Sequence, residues 1–177
     1  MENQTSNDQR MVTGMFRDKQ SAESAYNALH SRGYSQDEIN LIMSDDTRKK
    51  HFENQHTDTE LGNKAMEGAG AGSAIGGTAG AIIGAIAAIG TSIAIPGLGL
   101  LIAGPIAAGL AGAGAGGLTG GLIGALVGSG IPEDRAKEYE SGVKEGGIVM
   151  GVKPRNQEDA EYFEREWKTN RGENVYR

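Results

Sequence analysis

His51 and His56 stand five residues apart among Glu53, Asp58 and Glu60, the densest grouping in this chain that could hold a divalent cation. A spacing of five does not bring two ligands onto one helical face, and on a loop it fixes no geometry. A solvated polar stem accounts for the same residues. The third histidine, His30, falls beside the apolar face of a helix and reads as a surface residue. Cysteine is absent, which removes disulfides, thiolate chemistry and Cys-ligated metals together. Asp45 and Asp46 follow an apolar run, at a strand end where catalytic carboxylates are often placed, but nothing else in the sequence converges on them. Gly112, Gly114 and Gly117 match the spacing of a dinucleotide-binding fingerprint, yet no strand precedes them and no Lys follows as a phosphate-binding loop requires. Tyr139, Phe163 and Trp167 have the helical spacing of a core, with Tyr162 off that stripe. The expectation is a non-enzymatic protein with no catalytic, cofactor-binding or metal residues and no identifiable small-molecule substrate.

Nucleic acid is not an expected partner either. The chain carries 17 basic and 23 acidic side chains, and its densest basic run, Arg48 to Lys50, is followed at once by His51 and Glu53. The polar segment Met1 to Gln9 lacks the apolar core of a secretory signal, so residues 1–10 read as a disordered tail and the origin as cytoplasmic.

The charges avoid one long segment. Twenty-one of the 29 glycines lie between Gly68 and Ile131, and no Asp, Glu, Lys or Arg occurs from Gly68 to Pro132. Glycine recurs every fourth residue at Gly68, Gly72, Gly76, Gly80 and Gly84, and again at Gly112, Gly116, Gly120, Gly124 and Gly128. That spacing places each series on one helical stripe, where missing side chains let two backbones approach closely. The series are mirror images about Leu98, as expected of two antiparallel helices, and Gly90, Pro96, Gly97, Gly99, Gly104 and Pro105 mark a tip between them. The reading is a glycine-zipper hairpin over 63–131, with helices at 63–89 and 105–129 and a tip near 90–104. Each limb exceeds the about 20 apolar residues that cross a bilayer. With no charge at the tip, both termini would face the cytoplasm.

The flanks read as one domain split by this hairpin. Residues 11–62 give a strand over Met11–Phe16, a helix capped by Asp18 with Ala22, Ala25, Tyr26 and Leu29 on one face, a stop at Gly33, a Ser35–Glu38 capping box and a strand over Ile39–Met43. A polar loop or stem follows. Residues 132–177 give a helix with Ala136, Tyr139 and Val143 inward, a strand over Ile148–Lys153, and a helix capped by Asn156 with Ala160, Phe163 and Trp167 inward. Asn174–Arg177 adds a frayed strand. Neither half has enough apolar surface to fold alone. Together they predict a small split α/β sandwich, ferredoxin-like in general character.

Val12-Thr13-Gly14-Met15-Phe16, the helix through Ala22, Ala25 and Leu29, and Arg32-Gly33-Tyr34 leading to Glu38-Ile39 resemble bacterial stress proteins of the general stress protein 17M-like, heat- or low-temperature-induced type. Ile131 to Ala136, Tyr139 to Val143 and Gly146 to Val149 extend the resemblance beyond the hairpin. It implies a role in stress survival or envelope adaptation and supplies no catalytic residues. The combined expectation is a structural stress protein held in the cytoplasmic membrane by the hairpin, with lipid and other copies of itself as partners. The alternative is a soluble cytoplasmic homo-oligomer, a scaffold or protective assembly whose core is made of bundled hairpins.

Overall fold

The computed structural model describes residues 10–52, 92–95, 99–112 and 120–177. Two segments near the N-terminus pair with two near the C-terminus. The strands β1 (Val12–Phe16) and β2 (Ile39–Ser44) flank the helix α1 (Lys19–Ser31), and β5 (Ile148–Val152) and β6 (Glu173–Tyr176) flank α6 (Gln157–Thr169). Strand β5 lies between β1 and β2, matching Val12 to Val152 on one edge and Ile39 to Val152 on the other. The remaining elements come from the intervening chain: α2 (Asp45–Phe52), β3 (Ser92–Ile95), β4 (Leu100–Ala103), α3 (Pro105–Gly112), α4 (Gly121–Gly128) and α5 (Glu133–Lys144). All six strands form one sheet in the order β3-β4-β2-β5-β1-β6, with every neighbouring pair antiparallel.

Local chemistry sets the ends of the flanking helices. The Asp18 carboxylate accepts the Ser21 N–H at 2.8 Å, and Asn156 accepts that of Asp159 at 2.7 Å, satisfying donors that a helix N-terminus leaves unpaired. Gly33 then takes φ +77°, which turns the chain after α1 without a Cβ penalty. The Ser35–Glu38 capping box is formed, with the Ser35 N–H donating to Glu38 at 2.8 Å.

Strand alternation divides the core into two. Phe16, Leu41, Met43, Ile148 and Met150 face Ala22, Tyr26 and Leu29 of α1 and Phe163 and Trp167 of α6. Met15, Ile42, Ile102 and Val149 face the opposite way, against Ile106, Leu110, Leu122, Leu126, Tyr139 and Val143 of α3, α4 and α5. The sheet is covered on both faces, so the molecule has three layers where a two-layer sandwich is expected. Central strands buried on both sides read as continuous apolar runs, which is how residues 39–43 and 148–152 appear in sequence. Gly142 belongs to this packing, because a Cβ there would collide with the Met15 sulfur.

The membrane reading is corrected by the same core. The segment 90–104, expected as the tip of a helical hairpin, supplies a β-hairpin instead, with Ile93 matched to Ile102 and Ile95 to Leu100. Strand β4 continues the sheet by pairing Leu41 with Ala103 and Ser44 with Leu100. The β-branched Ile93, Ile95 and Ile102 favour strand in a short apolar run whose periodicity cannot separate strand from helix. The continuous helix expected over 105–129 is also broken, since Gly121 has φ +59°. Among the described residues no helix is long and apolar enough to cross a membrane. Ile102, Ile106, Leu122 and Leu126, assigned above to the bilayer-embedded hairpin, are at most 4% exposed within the chain's own core. The membrane-embedded hairpin, the lipid bilayer as partner and the cytoplasmic-membrane localisation are withdrawn. The proposed first limb, 63–89, lies outside the described residues, and so do Gly68, Gly72, Gly76, Gly80, Gly84 and Gly116.

One buried side chain fixes this inserted layer to the sheet. Asn40 is 2% exposed; its Oδ1 accepts the Ile106 N–H at 2.8 Å and its Nδ2 donates to the Gly151 carbonyl at 3.2 Å. Gly104 precedes α3 with φ +96°, and a Cβ there would strike the Ile39 carbonyl, so the helix start has no side chain of its own to cap it. Strand β2 supplies the cap from across the sheet. Asn40→Ala strands a buried donor and a buried acceptor, each worth about 1–3 kcal/mol. The expected result is a loss of about 3 kcal/mol in urea unfolding; a loss below about 1 kcal/mol would show that water replaces the side chain.

Candidate functional site

The sequence candidates for chemistry are separated by the fold. His30 packs edge-on against Tyr26 with centroids 4.7 Å apart, and partial burial holds its pKa below the ordinary imidazole value. His51 lies on α2, whereas Glu53, His56, Asp58 and Glu60 lie outside the described residues. Among the described residues no group of three or more His, Cys, Asp or Glu side chains could hold a metal ion. Gly112 closes α3, while Gly114 and Gly117 are outside the described residues. Tyr139, Phe163 and Trp167 are fully buried, and Tyr162 is half-buried with the Arg32 guanidinium 4.2 Å from its ring centre.

Asp159, Tyr34 and Tyr139 are occupied with other polar groups, whereas the Tyr26 hydroxyl is buried without a hydrogen-bond partner among the described residues. Asp159 receives the Tyr34 hydroxyl at 2.8 Å, Arg32 at 3.2 Å and Asn156 Nδ2 at 3.2 Å. Tyr34 accepts the Arg155 N–H at 2.7 Å, and burial pushes its phenol up to about 12. The Tyr139 hydroxyl donates to the Asn174 carbonyl at 2.7 Å and lies 2.8 Å from Thr13 Oγ1. These contacts join α1 to α6 and α5 to β6. They account for Asp159, Tyr34 and Tyr139 as structural contacts.

Two surface regions remain. The first is the outer side of α3 and α4, where Ala108, Gly109, Ala111, Gly120, Gly124, Val127 and Gly128 are exposed. Val127, at 44%, is the exposed large hydrophobic residue among the described ones. A Cβ at Gly109, Gly124 or Gly128 would meet no described atom within 4 Å, so these glycines do not make room for a neighbour among the described residues. The outer sides of α5 and α6 instead carry exposed Glu133, Asp134, Lys137, Glu161, Arg165 and Lys168.

The second is a cleft of about 450 Å³ between α2, the start of β4 and the end of α5, lined in part by Arg17, Thr47, Lys50, Lys144 and Glu145. Its residues come from four separate stretches of chain, and no spacing in the sequence points to it. The paired Asp45 and Asp46 stand in the first turn of α2, where carboxylates suit the positive pole of a helix. They do not act together: Asp45 binds Lys49 at 2.7 Å and Arg48 at 3.0 Å, while Asp46 lines the cleft.

With that geometry in hand, comparison with known proteins adds nothing: no family model, curated protein or solved structure matches the chain.

Hydrogen bonds from Lys49, then from Arg48, hold the Asp45 carboxyl below its ordinary value. A carboxyl lowered in the folded state contributes stability above its unfolded value, near pH 4, and loses it as pH falls through the lower folded value. Asp45→Asn is expected to flatten the stability profile between about pH 4 and pH 2. Parallel wild-type and variant profiles across that range would assign the acid limb to other carboxylates.

Proposed function

We propose that this protein is a non-enzymatic, self-associating structural module whose copies meet through the uncharged outer face of α3 and α4. The observation that carries the reading is that Gly124, Val127 and Gly128 are exposed together on α4 with no charged or hydrogen-bonding side chain among them. The net charge of −6 makes copies repel one another over most of their surface. The charge-free segment offers the face where that repulsion is least. Flat glycine surfaces also allow close helix–helix approach, so the exposed part of the Gly120, Gly124 and Gly128 series retains its assignment as a packing stripe, now between chains.

The strand order β2-β5-β1-β6, with α1 and α6 on one face, supports reading the two flanks as a ferredoxin-like unit that carries the association layer as an insertion. That fold is compatible with many activities and specifies none. The stress-survival role is proposed on the sequence resemblance alone, and a passive assembly is the activity that fits it here.

Sedimentation velocity of the full chain tests the reading. The expected outcome is a concentration-dependent oligomer that Val127→Lys reduces to monomer, with circular dichroism unchanged. A wild-type chain that stays monomeric to about 100 μM, or an oligomer unaffected by Val127→Lys, would sink the proposal.

A further inference from the structure

We propose that the cleft between α2 and the end of α5 binds a small polyhydroxylated phosphate monoester. Its volume of about 450 Å³ falls within the range of small-molecule sites, and its lining is polar and charged, with Leu100 as the apolar floor. Three cations stand at its rim: Arg17, Lys50 and Lys144. They are not equally committed. Arg17 gives Nε to Glu173 and Nη1 to Glu145, each at 2.9 Å, which leaves the Nη2 donors without a partner among the described residues. Lys144 pairs with Glu140 at 3.0 Å across an exposed helical turn, a contact weak enough to be exchanged for a ligand. Lys50 is exposed and makes no ion pair among the described residues.

The donors that remain are therefore side-chain cations and not the helix end. Two first-turn amides of α2 are already used, Asp45 N–H by the Gly99 carbonyl at 2.7 Å and Thr47 N–H by Ser44 Oγ at 3.0 Å. Ser44 Oγ and Thr47 Oγ1 lie 2.8 Å apart and share one hydrogen, so one hydroxyl proton of the pair is left to donate. The Arg17 Nη2 group, the Lys50 ammonium and a hydroxyl are donors suited to phosphate oxygens.

The rest of the ligand is specified by what else lines the cleft. Asp46 and Glu145 would repel a second anionic group but accept hydrogen bonds from neutral hydroxyls. Among the described residues no Phe, Tyr or Trp lines the cleft, so they offer none of those rings for stacking a nucleobase. A sugar or polyol phosphate satisfies both conditions.

Titration calorimetry of the full chain with ribose 5-phosphate, inorganic phosphate and ribose separates the contributions. The proposal expects saturable binding of ribose 5-phosphate, weaker binding of inorganic phosphate and none of ribose. Lys50→Glu should weaken ribose 5-phosphate about tenfold or more, equivalent to about 1.4 kcal/mol. Lys168→Glu, on the far helix α6, should leave it unchanged, and both variants should keep the wild-type melting temperature. Binding unaffected by Lys50→Glu, or no saturable heat up to about 20 mM ribose 5-phosphate, overturns the site. Inorganic phosphate binding as tightly as ribose 5-phosphate overturns the assignment of the carboxylates to ligand hydroxyls.

Discussion

Strand β5 is hydrogen-bonded along one edge to β1 and along the other to β2, and every other placement in the molecule depends on that double pairing. β1 and β2 are each antiparallel to β5 and never touch as neighbours. Without residues 148–152 nothing joins the β1–β6 pair to the strands β2, β4 and β3. The inserted chain must therefore leave from the end of β2 and return to the sheet beside it, whatever it does in between. β4 meets this requirement directly, because it adds to the free edge of β2 and then delivers the chain to α3 beneath the second face. Pairings between residues over a hundred positions apart also make the topology non-local, the kind that folds slowly because loop closure must precede contact.

The doubly covered sheet explains where the chain spends its glycines outside the central segment. A sheet packed on both sides has no solvent face to absorb a misfit, so close contacts are solved by removing side chains. Gly14 lets the Trp167 ring lie against β1, where a Cβ would stand 3.1 Å from Cε3. Gly142 and Gly147 both make way for Met15, whose flexible thioether fills the space between α5 and the sheet. Asn40 is the polar counterpart of these contacts. It sits in the inner layer because it satisfies two backbone groups that would otherwise be buried without partners.

Local signals in the sequence were readable because they act over three or four residues. Asp18 and Asn156 as caps, Ser35 with Glu38 as a capping box, and the inward faces of α1, α5 and α6 all follow from spacing alone. The central segment was harder. Its mirror symmetry does mark a reversal of the chain, and the β3–β4 register turns within one residue of Leu98. The type of element was not legible there, since a four-residue run such as Ser92–Ile95 holds too little periodicity to distinguish strand from helix. Asn40 left a trace that could have been used: one amide inside an otherwise apolar strand requires a buried partner. The cleft left none, because Arg17, Lys50 and Lys144 meet only after the sheet is assembled.

The two surfaces are distinct in chemistry and joined by one short element. α3 and α4 offer a neutral face that suits contact between copies of an acidic chain, and a charged cleft would be a poor place for such contact. The cleft takes its residues from other elements, so occupation of one does not block the other. Strand β4 connects them: Leu100 forms the floor of the cleft, and four residues later Gly104 turns the chain into α3 under the Asn40 cap. A shift of β4 along β2 would disturb the cleft floor and the start of α3 together. Any displacement by one residue would also exchange its inward and outward side chains, exposing Ile102 to the wrong layer. The sheet register therefore holds the neutral face and the charged cleft in a fixed relation.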